Sequence, residues 1–196
     1  MKTLVIVDLQ NDFINGGSLE VPGGESIIEP INDVIKNYDF VLATKDWHPK
    51  DHVSFASNHK NKNIGDIINI NGLDQVLWPD HCIKNTFGSD FPKSLNISNV
   101  KKVIYKGSEK HIDSYSGFFD NGKIKSTGLS EYLRIKNIKK IDYVGLATDY
   151  CLKYTAIDSI SEGFKTRVLV DCIRGINKKS SELALNEMKS KGVELI

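Results

Sequence analysis

The stretch Ile141-Asp-Tyr-Val-Gly-Leu-Ala-Thr-Asp-Tyr-Cys151 has the pattern of a buried strand, a tight turn and a helix. Its first six residues are mostly apolar, which favours a strand inside a parallel sheet. Thr148 or Asp149 is expected to cap the following helix. Cys151 would then lie in the first helical turn at the carboxyl end of a strand, where free N–H groups stabilise a thiolate. The alternative is a small hydrophobic side chain buried at a helix start.

Similar apolar runs alternate with amphipathic segments on both sides of this stretch. The predicted strands are 1–8, 40–44, 100–106, 141–146, 164–170 and 193–196, and the predicted helices are 25–38, 128–134, 149–162 and 180–189. This alternation predicts an α/β fold, a single domain over residues 1–196 with a mostly parallel sheet of about five or six strands and helices on both faces. Residues 53–80 show weak periodicity and are expected to form a long loop that builds a site.

The composition is that of an ordinary globular protein, with 196 residues, 40% hydrophobic and 26% charged. A formal net charge of +1 provides no field that would attract nucleic acid or an anionic membrane. No apolar run approaches the ~20 residues of a membrane span, and the N-terminus enters a strand pattern directly, so a cytoplasmic protein is expected. Three cysteines, an odd and sparse set, indicate free thiols in a reducing compartment.

Three predicted strands end in groups with chemical potential, namely Asp8, Lys106 and the turn that carries Cys151. In a parallel sheet these ends lie along the same edge. A neighbouring ammonium favours the thiolate of a cysteine, and a carboxylate can take its proton and deliver it to a leaving amine. The alternative is that Asp8 and Lys106 form an ordinary ion pair at the sheet edge.

A second group of residues has the composition of a metal site. Asp46 and His48 are two apart on an extended segment and so project to the same side, while His81 comes from the following loop and His52 is nearby. One carboxylate and two imidazoles leave coordination positions open, as in catalytic or substrate-binding sites.

Six stretches that span nearly the whole chain resemble the nicotinamidases of the isochorismatase-like cysteine hydrolase superfamily. They are Val7-Asp-Leu-Gln-Asn-Asp-Phe13, Thr44-Lys-Asp-Trp-His-Pro49, His52-Val-Ser-Phe-Ala56, Leu77-Trp-Pro-Asp-His-Cys82, Tyr105-Lys-Gly107 and Gly145-Leu-Ala-Thr-Asp-Tyr-Cys151. The Asp-Leu-Gln and Ala-Thr-Asp-x-Cys motifs mark the superfamily. Asp-Trp-His-Pro and Trp-Pro-x-His-Cys are more specific to its metal-containing nicotinamidases.

The resemblance implies a catalytic set. Cys151 would be the nucleophile, Asp8 the proton carrier and Lys106 the group that lowers the pKa of the thiol. The Leu146–Ala147 peptide would be cis, with the N–H groups of Ala147 and Cys151 directed at the developing oxyanion.

The resemblance also implies how substrate and metal bind. One divalent ion per chain would be held by Asp46, His48 and His81, with His52 as a fourth candidate. Zinc is the expected ion, with iron or manganese as alternatives. The substrate would be nicotinamide, with its pyridine nitrogen on the metal and its ring between Phe13 and Trp78. Tyr115 is implied to close the pocket, and pyrazinamide is a further expected substrate.

Two other functions are consistent with parts of the sequence. A relative acting on a carbamoyl or ureido substrate would lack the Asp-x-His metal set, and a non-catalytic ligand-binding protein would leave Cys151 buried and inert. A dinucleotide-binding fold is disfavoured because no Gly-x-Gly-x-x-Gly follows the first strand. The sequence leaves the oligomeric state open.

Overall fold

A computed structural model describes all residues from 1 to 196. Its centre is a six-stranded, all-parallel sheet. The strands are β1 (Thr3–Val7), β2 (Phe40–Asp46), β5 (Val100–Lys106), β6 (Lys140–Leu146), β7 (Lys165–Arg174) and β8 (Glu194–Leu195). They lie side by side in the order β5-β2-β1-β6-β7-β8. The predicted single-domain α/β fold with a parallel sheet is confirmed.

Helices cover both faces of the sheet because alternate side chains of each strand point to opposite sides. They are α1 (Ile28–Ile35), α2 (Leu129–Ile135), α3 (Lys153–Ser161) and α4 (Lys178–Ser190). Leu4 and Ile6 of β1 pack with buried isoleucines of α1, whereas Val5 and Val7 pack with buried residues of α2, α3 and α4. Both faces of the central strand are thereby removed from water. None of the helices combines the length and apolar character needed to cross a membrane.

The segment from 53 to 80 is not a plain loop. It contains an antiparallel hairpin of β3 (Ile67–Ile70) and β4 (Leu73–Val76), with Ile70 opposite Leu73. Asn71 and Gly72 connect the strands with φ values of 52° and 89°. Two positive φ angles in a two-residue loop define the turn that Asn-Gly favours, so this dipeptide was the signal that the periodicity argument missed.

The turn after β6 also differs from the prediction. Residues Thr148–Leu152 form one wide π-helical turn, and α3 begins only at Lys153, without a side-chain cap. The capping role predicted for Thr148 or Asp149 is therefore wrong. The Asp149 carboxylate instead accepts hydrogen bonds from the backbone N–H groups of Ile176 and Asn177, at 3.0 and 3.2 Å, just ahead of α4.

Candidate active site

Four adjacent strands bring the predicted catalytic side chains and one predicted metal ligand to one edge of the sheet. Asp8 follows β1, Asp46 ends β2, Lys106 ends β5, and Cys151 lies in the turn after β6. All four side chains are buried. The carboxyl ends of the strands therefore form a single polar cluster beneath the surface, as expected for an open α/β sheet.

Lys106 is the centre of this cluster. Its Nζ lies 2.9 Å from Asp8 Oδ2, 2.5 Å from Asp46 Oδ1 and 3.3 Å from the sulfur of Cys151. It also donates a hydrogen bond of 2.8 Å to the backbone oxygen of Ser114. One ammonium thus links the predicted proton carrier, the predicted nucleophile and a predicted metal ligand.

Burial and the neighbouring charges both shift the pKa values of Cys151 and Lys106. Burial raises the pKa of the Cys151 thiol well above its ordinary value; Lys106 opposes the rise, and Asp8 and Asp46 add to it. Burial alone would lower the pKa of Lys106. The negative charges of Asp46 and Asp8 have the larger, opposite effect, so the net pKa is raised well above its ordinary value and the ammonium stays charged. Burial therefore favours the thiol form of the sulfur, and the adjacent ammonium favours the thiolate.

Asp8 is oriented for proton transfer. Its Oδ1 accepts a hydrogen bond from the hydroxyl of Thr44 at 2.5 Å, and its backbone N–H donates to the same hydroxyl oxygen at 3.2 Å. Its buried Oδ2 receives no aligned hydrogen bond, and its cationic neighbour is the Lys106 ammonium. An oxygen of Asp8 and the sulfur of Cys151 lie within 4.8 Å of each other. The hydroxyl of Thr44 thus fixes Oδ1, and Oδ2 remains available to take a proton.

The turn around Ala147 supplies a free backbone donor. The peptide bond between Leu146 and Ala147 is cis. The Ala147 carbonyl accepts the N–H groups of Tyr150 and Leu152, both at 3.1 Å, whereas the Ala147 N–H makes no hydrogen bond. Because Ala147 and Cys151 line the same cavity, this N–H is available to stabilise negative charge on a bound carbonyl oxygen.

Asp46, His48 and His81 come together as a second functional group. One ligand atom from each lies within 4.8 Å of the other two, and Asp46 Oδ2 is 3.8 Å from His48 Nε2 and 3.9 Å from His81 Nε2. Each Nδ1 is 2.8 Å from a carbonyl oxygen, that of Gly107 for His48 and that of Pro79 for His81. Each Nδ1 therefore carries the proton, and each Nε2 presents a lone pair toward Asp46.

These three residues fit a divalent metal ion. Burial lowers the pKa of both imidazoles, which keeps them in the neutral form that binds metals. Burial raises the pKa of the Asp46 carboxyl to about 8 against the opposing effect of Lys106, and a bound cation would favour the ionised form. Neither Nε2 has a hydrogen-bond partner in the protein. One oxygen and two nitrogen ligands with open positions suit zinc, iron or manganese.

His52 does not join this set. Its Nδ1 accepts from the Ser54 hydroxyl at 2.7 Å, and its Nε2 lies 3.3 Å from the backbone oxygen of Ile112. Its ring instead packs on His48, with centroids 4.2 Å apart. The candidate fourth ligand is therefore engaged by the protein on both nitrogens.

A cavity with aromatic walls joins the thiol to the candidate metal ligands. Its lining includes Cys151, Asp46, His48 and His81, the three predicted ring-binding residues, and apolar residues that sequence reasoning missed. The ring-binding residues are Phe13, Trp78 and Tyr115, and the missed apolar ones are Leu19, Val21, Tyr150 and Ile176. The indole N–H of Trp78 donates to the Tyr115 hydroxyl at 3.2 Å. The cavity suits a flat, mostly apolar ring with one polar substituent.

Gln10 was also missed, although it lies two residues from Asp8. Strand β1 ends at Val7. Beyond that point the Gln10 side chain lies beside the Asp46 backbone, where a longer β1 would lie. Its Oε1 accepts the Asp46 N–H at 2.8 Å, and its Nε2 donates to the Asp46 carbonyl at 2.9 Å. The amide thus fixes the backbone of a candidate ligand as a neighbouring strand would.

The other two cysteines play no part in this site. Cys82 and Cys172 are buried in the apolar cluster around α1, as free thiols.

Comparison with known proteins identifies the family. The sequence profile described as "Isochorismatase domain" matches residues 2–196. The chain belongs to the isochorismatase-domain family. Among sequenced members it is 40% identical to the nicotinamidase of Escherichia coli K12, an alignment that covers 99% of this chain and 93% of that protein.

Two solved structures of the family extend the comparison. The nicotinamidase pyrazinamidase of Acinetobacter baumanii is 42% identical, with a TM-score of 0.97 over 100% of this chain and 95% of that one. The pyrazinamidase of Pyrococcus horikoshii in complex with zinc is 34% identical, with a TM-score of 0.83 over 100% and 98% of the two chains. The expected resemblance to nicotinamidases of this family is confirmed over the full length.

Proposed function

We propose that this protein is a nicotinamidase that hydrolyses nicotinamide to nicotinic acid and ammonia, and that it also deamidates pyrazinamide. The observation that carries the proposal is the shared cavity: a thiol in contact with a lysine, and a carboxylate with two imidazoles, border the same aromatic-walled space. The names of the similar family members support the same substrate class. The product would return to pyridine nucleotide synthesis.

We further propose that a divalent ion, zinc in the first instance, is held by Asp46, His48 and His81. The zinc complex of the Pyrococcus horikoshii relative and the donor set of this chain support that choice. When bound, the ion would supply a Lewis-acid site for the pyridine nitrogen. Phe13 and Trp78 would hold the ring, and Tyr115 would close the cavity.

In the acylation half, Asp8 takes the proton of the Cys151 thiol, and the sulfur forms a bond to the amide carbon. The Ala147 N–H stabilises the oxygen that becomes negative. Asp8 then gives its proton to the amide nitrogen, the C–N bond breaks, and ammonia leaves. A nicotinoyl thioester remains on Cys151.

In the deacylation half, Asp8 takes a proton from water, whose oxygen attacks the thioester carbon. The C–S bond breaks, the sulfur leaves as a thiolate, and Asp8 returns the proton to it. Lys106 stabilises the thiolate that attacks the amide and the thiolate that leaves the thioester, because its ammonium is in direct contact with the sulfur.

We also propose that the protein acts in the cytoplasm. All three cysteines are unpaired and buried, which is consistent with a reducing compartment.

The proposal is tested by measuring ammonia release from nicotinamide with purified protein, before and after treatment with a chelator. We expect turnover by the purified protein, loss of turnover after chelation and recovery on addition of zinc or manganese. Benzamide, which has the same amide but no ring nitrogen, is the matched substrate control and should react far more slowly. Equal turnover of both amides, or full activity after chelation, would contradict the proposed role of the ion.

A further inference from the structure

Asp113 is a buried carboxylate in the same cavity that neither the catalytic set nor the metal ligands include. It lies in the segment between β5 and α2, is 4% exposed, and lines the cavity with Asp46, His48 and Cys151. Its Oδ1 accepts the Ser114 N–H at 2.7 Å. Its Oδ2 accepts from Gln75 Nε2 at 3.2 Å. Two neutral donors therefore hold the carboxylate in a fixed direction.

No lysine or arginine compensates the charge of Asp113. Asp8 and Asp46 share the Lys106 ammonium, whereas Asp113 forms no ion pair. The cavity lining contains two carboxylates, those of Asp46 and Asp113, and no lysine or arginine. An uncompensated charge is costly away from water, and a divalent cation beside Asp113 would lower that cost.

Asp113 is also close to the candidate metal ligands. A carboxylate oxygen of Asp113, a ring nitrogen of His48 and one of His52 all lie within 4.8 Å of one another. His48 belongs equally to the group with Asp46 and His81. Both nitrogens of His52 are engaged by Ser54 and Ile112, so His48 is the imidazole of this group that can still bind an ion.

We propose that Asp113 is a positioning residue for the divalent ion, an outer carboxylate whose charge strengthens ion binding beside His48 without itself replacing Asp46 as a ligand. The inference rests on the proposed metal dependence. Gln75 and the Ser114 N–H set the direction of this carboxylate, and Gln75 also lies 3.4 Å from the Tyr115 hydroxyl at the cavity wall. Removal of an outer partner of a metal site typically weakens metal affinity about 10- to 100-fold.

The test measures Zn²⁺ and Mn²⁺ affinity by competition with a chromogenic chelator, with no substrate present. Asp113→Asn keeps the shape and removes the charge, and we expect about 10- to 100-fold weaker binding. The matched control is Asp120→Asn. Asp120 is a buried carboxylate of the same segment that accepts the Ile124 and Lys125 N–H groups and lies outside the ion cavity, so the wild-type affinity should be retained.

A second measurement separates the proposed role from a purely structural one. Thermal unfolding with and without a fixed concentration of Zn²⁺ gives the stabilisation by the ion, which depends on affinity. Asp113→Asn should reduce this increase in Tm, whereas loss of a merely structural contact would lower both Tm values and leave the increase unchanged. Gln75→Leu keeps the charge but removes the orienting donor, and we expect a smaller loss of affinity than in Asp113→Asn.

Three outcomes of the affinity measurements test the role of Asp113. Weaker binding in Asp113→Asn with normal binding in Asp120→Asn supports the inference. Binding within about twofold of wild type in Asp113→Asn overturns it while leaving the proposed metal dependence intact. Absence of Zn²⁺ and Mn²⁺ binding in the wild-type protein would overturn both.

Discussion

The ammonium of Lys106 lies 3.3 Å from the sulfur of Cys151, and both side chains are buried. The two residues are 45 positions apart and meet because β5 and β6 both end at the same edge of the sheet. The contact opposes the effect of burial on the thiol pKa without cancelling it. A thiol beside a cation needs only one proton transfer to become a nucleophile.

Replacing Cys151 with Ala should abolish ammonia release from nicotinamide. The thioester cannot form without the sulfur, and loss of a nucleophile that works with a paired base reduces kcat by several orders of magnitude, on the order of 10⁵-fold or more. Zinc affinity should stay near that of wild type, because Asp46, His48 and His81 are unchanged. Cys172→Ala is the control, since this buried thiol packs in the other apolar cluster. Substantial turnover by Cys151→Ala would refute the nucleophile assignment.

Replacing Lys106 with Met should destabilise the metal-free protein. Asp8 and Asp46 would lose their shared cation in a buried site, and breaking such a pair costs about 3–5 kcal/mol of unfolding free energy. Urea unfolding followed by circular dichroism measures the loss. Lys36→Met removes an exposed ion pair with Asp33 and should leave stability nearly unchanged. Equal effects of the two substitutions would show that the buried cluster contributes no special stability.

Much of the site could be predicted from the sequence because it follows the ends of buried strands. Apolar runs that stop at Asp8, at Lys106 and near Cys151 place those side chains at one edge as soon as the sheet is parallel. The Asp46-x-His48 spacing is equally local, since alternate residues of an extended segment share a side.

The parts of the site that could not be predicted depend on contacts between distant segments, which leave no local pattern in the sequence. Asp113 meets Gln75 across 38 positions, and the Gln10 amide reaches Asp46 across 36. The predicted cap at Asp149 was wrong for a similar reason. Its carboxylate has better partners in the loop before α4, and no helical spacing around Cys151 could reveal them.

Removing the Tyr115 hydroxyl should weaken substrate binding moderately. Tyr115→Phe leaves the Trp78 indole N–H without its acceptor at the cavity wall, and one hydrogen bond of this kind contributes about 0.5–1.5 kcal/mol. We therefore expect the KM for nicotinamide to rise about 2- to 12-fold with a smaller change in kcat. Tyr154→Phe is the control, because that ring stacks on Tyr115 but gives no hydrogen bond to Trp78. An unchanged KM in Tyr115→Phe would exclude a role for this bond.

Acid should destabilise the protein partly through Asp142, at the opposite edge of the sheet. Burial raises the pKa of this carboxyl, but the hydrogen bonds from Arg167 and Tyr38 together lower it by more than burial raises it. The net pKa is therefore below the ordinary 3.8. Because the folded pKa is lower than the unfolded one, the stabilisation is present above about pH 4 and is lost as the pH falls through the folded value.

Asp142→Asn should therefore be less stable than wild type at pH 7, and the difference should shrink as the pH falls below about 4. Urea unfolding at a series of pH values measures it. Asp33→Asn, at an exposed ion pair, is the control and should follow the wild-type profile. If the difference in unfolding free energy between Asp142→Asn and wild type stays constant from pH 7 to pH 3, the charge of Asp142 does not cause the loss of stability.

Gly107 shapes the candidate metal site, and its replacement by Ala should weaken zinc binding. The residue has φ of +59°, and an added Cβ would lie 2.7 Å from His48 Nδ1, the atom that donates to the Gly107 carbonyl. His48 would have to shift and lose that hydrogen bond, which fixes its Nε2 toward Asp46. An orienting contact of this kind is worth about 10- to 100-fold in metal affinity.

The control for Gly107→Ala is Gly128→Ala, which shares the backbone strain but not the crowding. Gly128 has φ of +88°, and nothing lies within 4 Å of an added Cβ. Both variants should lose about 1–2 kcal/mol of unfolding free energy because a side chain disfavours positive φ. Only Gly107→Ala should lose zinc affinity in a chelator competition. If the two variants bind zinc equally well, the Gly107 carbonyl and the space beside it do not position His48.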